Sequence, residues 1–177
     1  MKKFGGHVLF LDRSDINTDD IIPAKYLTEI SKEALKPHLF EDLNLKGFDH
    51  ASKQLRLSAA GVIVTRANFG CGSSREHAAW VLEVNGITAV IAPSFARIFR
   101  QNMFNCGMLA IEVDDTVIER LFEHERQETV ISFDLQADCF TVTSENKEEE
   151  TFSFKLSEFD RTLVEAEGWV GFAASRY

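Results

Sequence analysis

The chain has 177 residues, 45% of them apolar and 27% charged, with a formal net charge of −9. This is an ordinary globular balance, and it points to one domain, residues 1–177, with a full hydrophobic core. The acidity comes with no basic cluster, which argues against nucleic-acid binding, and no run approaches the ~20 apolar residues that a bilayer span needs.

The opening residues Met1-Lys2-Lys3-Phe4-Gly5-Gly6 carry two lysines with no apolar run behind them long enough for a signal peptide, so a cytoplasmic location is expected. His7 to Leu11 reads as a strand. Asp12 to Pro23 is dense in Asp, Asn, Ser and Thr, residues that bond their own backbone and favour turns and caps. Ser31 to Phe40 predicts a short helix interrupted by Pro37. Residues 41 to 60 are weakly patterned and predict a surface loop.

The centre is clearer. Gly61 to Thr65 is an apolar strand. Ser74 to Asn85 has helical spacing, with Gly86 just past its end. Ile87 to Ala92 is a continuous apolar run, as expected for a strand covered on both faces. Pro93 and Ser94 open a second helix that Gly107 stops, and Met108 to Val113 is a further strand. Strands alternating with helices of about a dozen residues imply a mostly parallel βαβαβ centre. Further on, Thr116 to Glu123 predicts a helix. Thr129 to Phe133 and Cys139 to Thr143 alternate like antiparallel strands. Ser144 to Glu150 predicts a polar turn, Thr151 to Leu156 a strand, and Glu158 to Glu167 a last helix. The fold class is α/β, with antiparallel strands added to the parallel centre.

Residues 67 to 77, Ala-Asn-Phe-Gly-Cys-Gly-Ser-Ser-Arg-Glu-His, carry the most chemistry. Gly70 and Gly72 allow a tight turn. Ser73 and Ser74 fall where a helix begins, and Arg75 adds a permanent positive charge there. Free N–H groups and the dipole make a helix N-terminus an anion site. The serines admit a second reading as plain helix caps. The turn follows a buried parallel strand, at the edge where open α/β sheets bind ligands. It is not a nucleotide loop: the third glycine of a dinucleotide motif is missing, with Glu76 and His77 following, and so is the Gly-Lys-Ser/Thr ending of a P-loop.

Other positions carry two readings each. Asp15, Asn17, Thr18, Asp19 and Asp20 lack the spacing of a calcium loop and read as a polar turn, or as support beside the Ser73 turn. His77 is either a packed residue or a member of the site. Ser94 is a cap and Arg97 a surface charge, or both border the pocket at the same sheet edge. Cys71, Cys106 and Cys139 form neither a disulfide framework nor a zinc pattern, so no metal site is expected in this chain. Cys106 and Cys139 read as buried fillers and Cys71 as a packing residue in the key turn.

Asn68-Phe69-Gly70-Cys71-Gly72-Ser73-Ser74-Arg75-Glu76-His77-Ala78 resembles the signature of the swivelling domain of the aconitase superfamily. Ser94-Phe95-Ala96-Arg97-Ile98-Phe99, with Asn102-x-x-Asn105-x-Gly107, resembles its second block. Asn17-Thr18-Asp19-Asp20-Ile21-Ile22-Pro23 resembles its N-terminal block. A free-standing chain of this length resembles the small subunits of the isopropylmalate-dehydratase branch. The resemblance implies a swivelling-type β/β/α domain and a partner, a large subunit holding a [4Fe-4S] cluster, with no cofactor in this chain. It implies a hydro-lyase that isomerises 2-isopropylmalate to 3-isopropylmalate by dehydration and rehydration, in leucine biosynthesis. Ser73 would be the base, and Ser74 and Arg75 would hold substrate carboxylate and stabilise the charged serine. Asp19, Cys71, Gly72, His77, Ser94 and Arg97 would support them.

Within the resembled family, substrate choice is associated with the stretch Lys25-Tyr26-Leu27-Thr28-Glu29. Several relatives carry an arginine there, and Lys25 is the nearest cation here. Homoaconitase, citraconate or dimethylmalate hydratase activity on a related dicarboxylate or tricarboxylate therefore stays open. So does a non-catalytic dicarboxylate-binding module.

Overall fold

The computed structural model describes residues 2–177, apart from the side chains at positions 50 and 51. Strand β1 (Gly5–Leu11) leads into a one-turn helix α1 (Thr18–Ile21), then α2 (Lys32–Leu35) and a 3-10 turn at Lys36–His38. Helix α3 (His50–Ala59) runs directly into β2 (Ala60–Thr65). The expected βαβαβ unit follows: β2, α4 (Glu76–Val84), β3 (Ala89–Ala92), α5 (Arg97–Asn105) and β4 (Leu109–Glu112). The chain then continues through α6 (Asp115–Phe122), β5 (Thr129–Asp134), β6 (Cys139–Ser144), β7 (Lys147–Ser153), α7 (Glu158–Glu165) and α8 (Trp169–Arg176).

All the strands join one sheet in the order β4-β3-β2-β1-β5-β6-β7. The first four pair in parallel, with Val62 opposite Ala89 and Ala89 opposite Leu109. The last three pair antiparallel, and Gly6 opposite Ile131 marks the change of direction between β1 and β5. Every residue of β2 and β3 is buried. Their unbroken apolar runs are what a strand covered on both faces requires. In β5 and β6 burial alternates instead, with Ile131, Phe140 and Val142 inside.

This topology places the site. Helices α4 and α5 both follow the C-terminal ends of neighbouring parallel strands, β2 and β3. The two connections therefore leave the sheet side by side, which is where open α/β sheets gather ligand-binding groups.

Three segments and one cysteine differ from the sequence reading. The expected loop over 41–60 contains helix α3, capped by Asp49, whose side chain accepts from the Ser52 N–H at 2.8 Å. The apolar residues of α3 do not form an inward stripe, since Leu55 is 76% exposed. The expected turn over 144–150 shrinks to Glu145 and Asn146, because Ser144 belongs to β6 and Lys147–Glu150 to β7. This strand lies at the edge of the sheet, where charged side chains discourage pairing with other chains. Helix α8 has no counterpart in the sequence reading. Cys139 is half-buried, not buried, whereas Cys106 is buried as expected. Among the described residues, no helix is long and apolar enough to cross a membrane.

Candidate functional site

The turn after β2 is held by main chain on both sides. On one side it runs parallel to the Asp15–Thr18 segment: Asp15 N–H donates to Ala67 O (2.9 Å), Gly70 N–H to Ile16 O (2.8 Å) and Thr18 N–H to Cys71 O (2.9 Å). On the other it runs beside the start of the second connection: Phe69 N–H donates to Ser94 O (3.2 Å) and Ala96 N–H to Phe69 O (3.0 Å). Three blocks distant in sequence thus become one backbone layer. Gly70, at φ +80°, sits so close to Phe99 that a Cβ there would fall 2.2 Å from the ring.

Side chains complete the layer. Asn17 caps α1 by accepting from the Asp20 N–H (2.8 Å), and Asp20 answers by accepting from the Asn17 N–H (3.0 Å) and from Arg13 (3.1 Å). That reciprocal box fixes the direction of α1. Thr18 donates its hydroxyl to Ser73 O at 2.8 Å. Asp15 accepts from the Asn68 amide at 2.9 Å. Asp19 pairs with the Arg75 guanidinium. The Asp-rich segment is therefore both a capped turn and a support for the serine turn.

The serines behave differently from the capping reading. Helix α4 starts at Glu76, with Arg75 as its N-cap in extended geometry and no side-chain cap bond. Ser73 and Ser74 precede it, both exposed, and among the described residues neither hydroxyl has a hydrogen-bond partner. Ser94 is likewise not the cap of α5, whose N-cap is Ala96. Its hydroxyl accepts from the Asn68 N–H (2.9 Å) and so braces the serine turn from outside. Arg97 is exposed at the first position of α5 and touches none of these groups.

Similarity to known proteins spans all three blocks of this layer. The Aconitase C-terminal domain family matches residues 1–116. The 3-isopropylmalate dehydratase small subunit of Teredinibacter turnerae is 40% identical over 168 residues, covering 87% of this chain and 77% of that one. Its counterpart in Buchnera aphidicola is 41% identical over 169 residues, covering 90% and 80%. The chain belongs to the 3-isopropylmalate dehydratase small-subunit family. A solved 3-isopropylmalate dehydratase from Methanocaldococcus jannaschii superposes with a TM-score of 0.77 at 28% identity, covering 99% of this chain and 95% of that one. The fold is that of this family.

The remaining candidate residues sort by position. His77, on the first turn of α4, reaches back to the Glu29 carbonyl at 2.8 Å. Lys25 and Tyr26 do not reach the serine turn; they gather on Glu41. The Tyr26 hydroxyl donates to Glu41 (3.0 Å), Lys25 Nζ lies 3.7 Å from it, and Tyr26 stacks on His38 at 3.8 Å. The Tyr26 hydrogen bond holds the Glu41 carboxyl below its ordinary range, and Glu41 in turn raises Lys25. Leu27 and Thr28 follow on the same exposed segment, with Leu27 half-buried.

Sequence reasoning passes over Asn68 and Glu41 as individual residues, although Asn68 lies within a quoted block. It also passes over Lys53, which is only 6% exposed and whose ammonium donates to the Phe40 carbonyl and, at 3.3 Å, to the Glu41 carbonyl. A lysine in an unpatterned stretch gives no signal of such a role.

The Cys71 and Cys106 thiols are poor ligands as they stand. Burial, and then the nearby Asp15 charge, pushes the Cys71 thiol up. Burial pushes Cys106 up to about 12. Metal and cluster ligation needs thiolates. Among the described residues, no three His, Cys, Asp or Glu side chains converge as a metal site. The described residues do not fit an iron–sulfur cluster.

Proposed function

We propose that this chain is the small subunit of a heteromeric hydro-lyase that interconverts 2-isopropylmalate and 3-isopropylmalate in leucine biosynthesis. It would work with a large subunit that carries the [4Fe-4S] cluster, with the whole chain acting as one swivelling domain in the cytoplasm. The observation that carries the reading is the free, exposed Ser73 hydroxyl, two residues ahead of Arg75 and at the approach to helix α4.

Dehydration removes a proton from carbon and a hydroxyl from its neighbour. Ser73 takes the carbon-bound proton. A serine hydroxyl is a very weak acid, so its anion forms only where positive charge is preorganised around it. The unpaired N–H groups at the start of α4 and the Arg75 guanidinium supply that environment. A donor so placed is worth about 3–4 kcal/mol of barrier. Thr18 holds the Ser73 carbonyl and so fixes where the hydroxyl stands. Arg75, kept in place by Asp19, and Ser74 take a substrate carboxylate. The Lys25–Thr28 segment, whose Lys25 and Tyr26 side chains turn to Glu41, acts on substrate choice by where its backbone lies.

The test is reconstitution with a large subunit and assay on a panel of 2-isopropylmalate, homocitrate, citraconate and dimethylmalate. Turnover is expected on 2-isopropylmalate above the others. Ser73→Ala should still co-elute with the large subunit while kcat falls by about 10²–10⁴, the range for loss of a proton-transfer group. Unchanged kcat in that variant overturns the role of Ser73, and preference for another substrate overturns the assignment of the reaction.

A further inference from the structure

His77 lies on the same face of α4 as Trp80 and Glu83, three residues apart in each step. This face meets the 29–36 segment along its length. His77 reaches Glu29 O (2.8 Å), Lys32 lies over the Trp80 ring (5.8 Å) and donates to Glu83 (2.6 Å), and Asn85 beyond the helix end donates to Lys36 O (3.0 Å). The His77 ring also packs against Trp80, 4.7 Å between centroids. A carbonyl only accepts, so His77 Nε2 carries the proton and donates.

The segment that His77 holds has little else to hold it. The Leu27 N–H and Glu29 N–H bond locally to Ala24 O and Tyr26 O (3.1 Å each). Among the described residues, the bond from His77 is the one long-range hydrogen bond made to residues 27–31. Directly after it stands Ile30, 95% exposed, an apolar side chain presented to solvent. The bond reads a backbone carbonyl, so it constrains where the segment lies and not which side chains it carries.

The geometry points to His77 as a positioning residue that couples the 27–31 segment to the serine turn through the rigid first turn of α4. Ser73, Ser74 and Arg75 lie within four positions of His77 in sequence, so the segment's height is set relative to them. Its substrate role rests on the functional reading given above; the tether itself does not.

Two measurements separate these. In hydrogen–deuterium exchange on the isolated chain, His77→Ala should speed exchange of amides 27–31 by about five- to tenfold, the loss expected for one hydrogen bond. His77→Gln, whose amide nitrogen falls near the place of Nε2, should restore protection, and His77→Asn should not. Glu29→Ala, which keeps the carbonyl, should leave protection as in the parent. In the reconstituted pair, His77→Ala should raise KM for 2-isopropylmalate by about five- to tenfold and change kcat by less than about twofold. Unchanged exchange in His77→Ala, or restoration by Asn and not Gln, overturns the tether. A fall in kcat at constant KM overturns the positioning role. A pair with no isopropylmalate turnover overturns the functional reading, while the exchange data still decide the tether.

Discussion

The Arg75 guanidinium is ion-paired with the Asp19 carboxylate, a residue 56 positions away in sequence that α1 carries to the serine turn. The arginine side chain is 15% exposed and the aspartate 59%, so water screens the pair from the aspartate side. An exposed pair of this kind contributes about 0.2–1 kcal/mol. Arg75→Lys should therefore lower Tm by less than about 4 °C. In the reconstituted enzyme the same change should lower turnover by about 10² or more, since an ammonium loses the planar two-point grip on a carboxylate. Calorimetry and steady-state kinetics on one preparation check both halves. A large Tm loss with turnover retained would make the pair structural.

Gly70 and Gly72 are alike in sequence and unlike in space. Both have positive φ, +80° and +90°. A Cβ on Gly70 would fall 2.2 Å from the Phe99 ring, which is itself packed edge-on to Phe69. A Cβ on Gly72 would meet Asn17 Cβ at 3.5 Å, an ordinary contact. Gly72→Ala should cost only the left-handed backbone penalty of about 1–2 kcal/mol. Gly70→Ala should add overpacking of about 1–3 kcal/mol to that. Urea unfolding followed by tryptophan fluorescence should rank the two clearly, and equal midpoints would contradict the geometry.

Thr18 is buried, and its hydroxyl reaches Ser73 O. Thr18→Val keeps the shape and removes the donor. The expected cost is about 0.5–1.5 kcal/mol, read as a Tm drop of a few degrees. The larger effect should fall on kcat, about ten- to a hundredfold, because the Ser73 turn loses the bond that fixes its height. A variant with the Tm drop and full kcat would mean that the carbonyl bond does not position the hydroxyl.

The parallel half of the fold is legible in the sequence because β2, β3 and β4 are buried on both faces and spell their burial as apolar runs. Helix α3 is not, because its sequence has no inward stripe: Leu55 points out, and a buried position is taken by Lys53. The family blocks around 17–23, 68–78 and 94–107 are legible in order and spacing. What the hydroxyls do within them is not. Ser73 and Ser74 carry the residue type of a cap, yet the turn after Gly72 delays helix α4 to Glu76. Ser94 also looks like a cap, yet its oxygen is claimed by the N–H of Asn68, 26 positions away. Local propensity proposes a partner, and the tertiary layer supplies a competing one. The bonds of His77 to Glu29 and of Tyr26 to Glu41 are long-range in the same way and leave no trace in periodicity.

His124 is 1% exposed; its Nδ1 lies 2.7 Å from the Ser144 hydroxyl and its Nε2 3.9 Å from Glu150. Burial, and then the Lys147 charge, lowers its pKa from 6.5, against the opposing pull of Glu150 and Glu123. A histidine with a depressed folded pKa stays neutral in the native state while the unfolded chain takes up a proton. Stability must then fall as pH drops through about 6.5, and the loss levels off only below the folded pKa. His124→Asn keeps a partner for Ser144 and cannot titrate. Between about pH 8 and pH 5, the urea midpoint of the parent chain should fall more steeply than that of the variant. Carboxylates remote from position 124 contribute equally to both curves and cancel in the difference. Parallel curves would show that His124 titrates alike in the folded and unfolded chain, and a shallower fall in the parent would show Glu150 outweighing the cost of burial.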